Sequence, residues 1–271
     1  MIKKLFPDFK TKALCLSYDD GVTQDVRLIE LLRKYNLTAT FNLNSHLSDI
    51  EFQWTHNSGV VVTRLPVKVL SELYKGFEVA SHTCSHPYMD NLTEAEISRE
   101  MTIDKDALEK ITGHRVCGFA VPFHYYSSLI RDCAVNCGFE YSRCSDVTYS
   151  FEPWDDYFSL KATAFHLDNR VDNLIEDFLN SQQELPILHL IGHSYDLDTH
   201  NAWDKFESFF HRMSTAEDVL SATTIHLVRY IKAMDKVQIT DTLIINNSEL
   251  ELYFDIDGVK VSVKPDTTYN L

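Results

Sequence analysis

Three short clusters in this 271-residue chain hold side chains able to bind an ion and move protons. The first is Ser17-Tyr18-Asp19-Asp20-Gly21, two adjacent carboxylates before a glycine turn. Buried without a positive partner, such carboxylates raise each other's pKa, and a cation resolves the repulsion. The competing reading is a solvated turn with helix-capping aspartates. The second cluster is Ser81-His82-Thr83-Cys84-Ser85-His86-Pro87. Two imidazoles four residues apart can converge on one metal, and neutral imidazole is a common zinc ligand. Pro87 favours a loop there, and the plain alternative is a pair of surface or capping histidines. The third runs from Pro186 to Asp198, strand-like to Ile191, with His193 just past the end. A histidine so placed can serve as a general acid near working pH. His189, in mid-strand, reads as an interior histidine.

Each cluster follows an apolar run, so the elements that carry them matter. Lys12 to Tyr18 is strand-like, Gln24 to Tyr35 has apolar residues at helical spacing, and Thr38 to Asn44 returns to strand character. Pro66 to Lys75 reads as a helix stopped by Gly76, then Phe77 to Ala80 as a strand. Thr93 opens a long helix with Glu96 in capping-box spacing, and Gly113 closes it. The alternation continues through Arg115–Pro122, Ser127–Cys137, Phe139–Ser142, Val171–Gln182 and Pro186–Ile191, and two or three helices run from about Trp203 to Met234. Repeated strand–helix units predict an α/β fold with a parallel sheet closed, or nearly closed, into a barrel, with its chemistry on loops at the strands' C-terminal ends. The two carboxylates and two imidazoles then face one another as a hydrolytic metal site: two imidazoles, one carboxylate and a spare carboxylate. From residue 236 the pattern becomes that of short antiparallel strands, with Asp257-Gly258 as a hairpin turn. The expected division is a barrel over 1–235 and a small β appendage over 236–271.

Composition narrows the partners. Apolar residues make up 44% and the formal net charge is −15, an ordinary globular chain whose field repels nucleic acid and anionic membranes. A neutral, sugar-like small molecule or oligosaccharide is compatible with that field. The N-terminal stretch lacks the apolar run of a secretory signal, and no segment reaches the roughly 18 apolar residues of a membrane span. A cytoplasmic location is expected. The six cysteines form no CxxC motif and read as free thiols; Cys84 is notable only for lying between two histidines.

Together with Phe119-Ala-Val-Pro122-Phe123 and the late strand ending at His193, these motifs resemble the polysaccharide deacetylase family, carbohydrate esterase family four. The likeness spans about residues 13 to 200. Ala39 to Asn44 and Gly192 to Asp198 look like a cytosolic branch of it. The resemblance implies a distorted (β/α) barrel of about seven parallel strands and metal-dependent removal of acetyl groups from sugars. It implies Asp19 as general base, Asp20, His82 and His86 as metal ligands, His193 as general acid, and the Phe123 peptide N–H as an oxyanion donor. Three ligands leave positions open for water and a carbonyl, as a catalytic site requires. Zinc is the expected ion, although two histidines and a carboxylate also suit iron(II), and cobalt, nickel and manganese stay open.

The chain departs from that pattern at Ala120, where the family usually places an arginine that orients the base. Arg143, at the end of the next strand-like run, is the candidate replacement; a salt bridge to Asp146 is its alternative. Trp154-Asp155-Asp156 is the nearest match to the family's acidic-and-tryptophan motif, and His166 is a candidate for the same mouth. The leading expectation is a deacetylase acting on a small or oligomeric carbohydrate. Its rivals are an allantoinase-like hydrolase of a small amide or cyclic ureide, and a catalytically silent carbohydrate-binding descendant, which the intact Asp19, Asp20, His82 and His86 argue against.

Overall fold

The structure is a computed structural model describing residues 1–271. Its centre is a ring of parallel strands: β1 (Lys12–Asp19), β2 (Thr40–Leu43), β3 (Glu78–Ser81), β4 (Gly118–Ala120), β5 (Tyr141–Val147), β6 (Leu160–Ala162), β7 (Ala164–Phe165) and β8 (Ile187–Gly192). They pair in the order β7-β8-β1-β2-β3-β4-β5-β6. Thr163 alone separates β6 from β7, and its N–H donates to His189 O at 2.8 Å, which closes the ring. That single-residue interruption is why eight strands occupy the about seven places expected.

Every residue of β1 is buried, as its apolar run requires when one face meets the barrel interior and the other meets helices. Its pairing partners differ along its length. β2 pairs only with Ser17–Asp19, while Val219–Ser221 runs alongside Lys12–Leu14 and wedges in below β2. This is the distortion of the barrel, and it adds a ninth strand to the sheet.

Helices α1 (Asp25–Lys34), α2 (Glu94–Thr112), α3 (Ser128–Asn136), α4 (Val171–Leu179), α5 (Trp203–Thr215) and α6 (Thr224–Met234) surround the ring. In α4 the buried residues Val171, Leu174, Ile175 and Phe178 follow helical spacing and form one apolar stripe. α2 begins with the Thr93–Glu96 capping box and ends at Gly113 in the left-handed region. No helix is long and apolar enough to cross a membrane.

The C-terminal segment folds into two small antiparallel sheets. Leu252–Ile256 and Val259–Val263 form a hairpin through Asp257 (φ 50°) and Gly258 (φ 88°), a turn with both central residues left-handed. Ile2–Leu5 joins this sheet, so it draws on both ends of the chain. Phe254, Leu252 and Val261 pack with Ala13, Ile187 and α6 beneath the barrel, the end opposite the motifs.

Candidate active site

The C-terminal ends of β1, β3 and β8 bring the three motifs to one mouth. Asp19 ends β1, and Asp20 (φ 89°) with Gly21 (φ 64°) turns the chain sharply. Thr83 (φ 64°), His86 (φ 54°) and Phe123 (φ 59°) also sit in the left-handed region. Non-glycine residues held there carry strain that the surroundings must offset, and here it falls on the loops that carry the motifs.

His82 Nε2 and His86 Nε2 lie 3.9 and 3.6 Å from Asp20 Oδ1. The three donor atoms are within 4.8 Å of one another. His82 Nδ1 is 2.8 Å from Ala120 O, an acceptor, so Nδ1 carries the proton and Nε2 presents its lone pair to Asp20. Asp20 Oδ1 is buried and accepts no aligned hydrogen bond, although Arg64 Nη1 forms an ion pair with it at 2.8 Å. A buried carboxylate oxygen facing two imidazole lone pairs fits a divalent ion. Tetrahedral zinc with ligands at about 2.0–2.2 Å places donors roughly 3.3 Å apart, against 3.6 and 3.9 Å from Asp20 Oδ1 to the two imidazoles. Burial pushes His82 down to about 4 and lowers His86 as well, which keeps both rings neutral and available as ligands. Burial opposes charge on Asp20, but Arg64 and the nearby histidines outweigh it and hold the carboxyl well below its usual range.

Helix α2 props the histidine loop from behind. Asp104 accepts from Ser81 Oγ at 2.6 Å, Ser45 N at 2.7 Å and His82 N at 3.2 Å. Four residues earlier on the same face, Glu100 accepts from Ser85 N at 2.9 Å and from the Cys84 thiol at 3.1 Å. Burial and Glu100 push that thiol up to about 12, so Cys84 is an unreactive loop anchor.

Asp19 is held by two donors. Asn42 Nδ2 donates to its Oδ1 at 2.7 Å, and Arg143 Nη2 meets the same oxygen. Burial alone would raise the Asp19 carboxyl; Arg143, helped by His82 and His193, lowers it instead. Arg143 is directly across from Ala120 in the β4–β5 register. Its guanidinium points into the barrel and is 2% exposed rather than paired with Asp146 on the surface.

His193 brings Nε2 to 3.9 Å from Asp20 Oδ2, while its Nδ1 is 3.1 Å from Asp196 Oδ2. Burial opposes protonation, but Asp196 and Asp20 outweigh it and lift the imidazole to about 9. The Phe123 peptide N–H has no acceptor within the protein, and the Phe123 ring lies 4.5 Å from that of His86.

Two further candidates stand elsewhere. His166 lies behind the mouth, 2% exposed, with Nε2 3.3 Å from the Asp196 oxygen that also meets His193. Trp154 packs edge-on against His189 and donates to Lys161 O at 3.1 Å, outside the cavity. Several residues were not anticipated: Arg64, Asn42, Asp104, Glu100 and Asp196. Asp196, three residues after His193, had a readable signal in its spacing. The others come from distant segments with no motif of their own.

A cavity of about 520 Å³ joins Asp19, Asp20, His82, His86, Arg143 and His193. The family model for polysaccharide deacetylases matches residues 7–142, half of the chain. The chain belongs to the polysaccharide deacetylase family. It is 28% identical over 110 residues to the peptidoglycan-N-acetylmuramic acid deacetylase PdaC of Bacillus subtilis, covering 40% of this chain and 21% of that protein. It is 27% identical over 151 residues to a chitin deacetylase from a Pestalotiopsis species, covering 55% of this chain and 47% of that one. These alignments span less than half the length of either relative. The polysaccharide deacetylase fold is shared with a family 4 acetyl xylan esterase from Clostridium thermocellum, solved in complex with a cobalt ion. That likeness has a TM-score of 0.51 at 15% identity and covers 79% of this chain and 89% of that one.

Proposed function

We propose that the chain is a metal-dependent deacetylase that hydrolyses the N-acyl group of a small or oligomeric carbohydrate. The observation that carries this reading is the convergence of Asp20 Oδ1 with the Nε2 atoms of His82 and His86, with a second carboxylate beside it. Asp20, His82 and His86 hold the ion, with zinc as the first choice. When bound, a divalent ion there supplies Lewis acidity, making a water easier to deprotonate and an acyl carbonyl more electrophilic.

The chain's own residues divide the remaining work. Asp19, oriented by Arg143 and Asn42, takes the proton of the attacking water. The Phe123 N–H donates to the acyl oxygen as negative charge builds there. His193, held through Nδ1 by Asp196, gives its proton to the leaving nitrogen from Nε2. The Asp196 contact keeps Nδ1 protonated and the imidazolium stable until that transfer.

Metal analysis of the purified protein followed by an acetate-release screen tests the reading. About one equivalent of a divalent ion and release of acetate from N-acetylated sugars are expected. Metal-loaded protein that released acetate only from non-sugar amides would move the assignment to a small-amide hydrolase. Metal-free, inactive protein after loading would end the reading.

A further inference from the structure

Arg64 reaches the site from outside the family motifs. It follows the short hairpin of Gln53–Thr55 and Val61–Thr63, and its N–H donates to Phe52 O at 2.8 Å. Only 3% exposed, it directs Nη1 at the Asp20 backbone oxygen and, at 2.8 Å, at Asp20 Oδ1. Nε is buried without an acceptor. Nη2 donates to nothing in the protein, and the residue lines the 520 Å³ cavity. A guanidinium has five N–H donors, and only those on Nη1 are used here. The Trp54 ring, 5.1 Å from the guanidinium carbon, fixes its plane.

Charge indicates what the free donor would take. Asp19 is offset by Arg143 and Asp20 by Arg64. A divalent ion then adds two positive charges that no remaining acid lining the cavity offsets. Position indicates where the acceptor sits on the substrate. Trp54 packs edge-on to Tyr195 at 5.6 Å, and Tyr195 stacks on His193 at 4.8 Å. Arg64 therefore belongs to the wall of the leaving amine, whereas Phe123 and His86 form the other wall.

We infer that Arg64 is a specificity-determining residue that binds a carboxylate on the amine portion of the substrate, making N-acylated amino-sugar acids the preferred class. The inference rests on the deacetylase reading above. A purely structural tether to Asp20 would use Nη1 alone and leaves the free Nη2 without a role.

The test is calorimetric binding to metal-loaded Asp19→Asn protein, whose turnover is slowed about 10²- to 10⁴-fold. Two matched pairs serve as probes: 2-acetamido-2-deoxyglucuronic acid against its uronamide, and 3-O-carboxymethyl-N-acetylglucosamine against its carboxamide. At least one carboxylate should bind about tenfold tighter than its amide, equivalent to about 1.4 kcal/mol. Adding Arg64→Gln should reduce that preference to less than about twofold with metal content unchanged. Arg64→Lys, which keeps the charge but loses the planar fork, should reduce it partly and guards against a folding failure of the glutamine variant. Equal binding within both pairs by metal-loaded protein, or a preference that survives Arg64→Gln, overturns the inference and leaves the deacetylase reading standing. Protein that takes up no metal and binds none of the four probes overturns both.

Discussion

Arg143 faces Ala120 across two neighbouring parallel strands, and its guanidinium meets Asp19 inside the barrel. The side chain rises from β5 at the level of the vacant position on β4, one strand spacing of about 4.8 Å away. A long planar group can cover that distance, so a positive charge stands beside Asp19 although Ala120 supplies none. Arg143→Lys should lower kcat by about 10- to 100-fold, roughly 1.4–2.7 kcal/mol of barrier, while metal content stays unchanged. A lysine keeps the charge and loses the fork. Steady-state kinetics with metal analysis reads both quantities, and wild-type kcat in the lysine variant would remove Arg143 from the site.

The two neighbouring aspartates should separate cleanly on mutation. Asp19→Asn keeps a side chain of the same shape and leaves Asp20, His82 and His86 intact. It should retain stoichiometric metal and lose about 10²- to 10⁴-fold in rate, the usual range for a general base. His82→Ala should instead lose the metal. Competition against a chromogenic chelator reports affinity without reference to turnover, and unchanged affinity in His82→Ala would refute the ligand assignment.

Asp196 holds His193 Nδ1 at 3.1 Å and also meets His166. Asp196→Asn should impair amide hydrolysis far more than hydrolysis of an activated ester, whose leaving group needs no proton. Equal losses on both substrates would show that Asp196 shapes binding rather than proton delivery.

Asp25 supports the same loop from below. Its carboxyl accepts from Ser194 Oγ at 2.5 Å and from Tyr74 Oη at 2.6 Å. Burial pushes it up to about 7, although these hydrogen bonds pull the other way. Between its unfolded value of about 3.9 and 7, the folded protein binds the extra proton. Stability contributed by this group is therefore present at low pH and lost as pH rises through about 7. The melting-temperature advantage of wild type over Asp25→Asn should shrink between pH 5 and pH 8. An advantage that grows over that range would contradict the assignment.

The sequence by itself determined the parts that depend on local pattern. The strand-like run of Lys12–Tyr18, the capping box at Thr93 and the Asp257-Gly258 turn follow from periodicity and backbone preference. Strand–helix alternation also placed the aspartate pair, the histidine pair and His193 at one end of a barrel, because parallel strands present their C-terminal loops together. Only the tertiary structure decided what surrounds those groups. Arg64, Asn42 and Asp104 act across 44, 23 and 22 residues of chain, at distances set by sheet register and helix packing rather than by spacing in sequence. The same holds for Trp154 and His166, whose residue types suited the mouth but whose side chains turn away from it. A strand's alternation shows that neighbours face opposite ways, yet which face meets the cavity is chosen by closure of the whole ring.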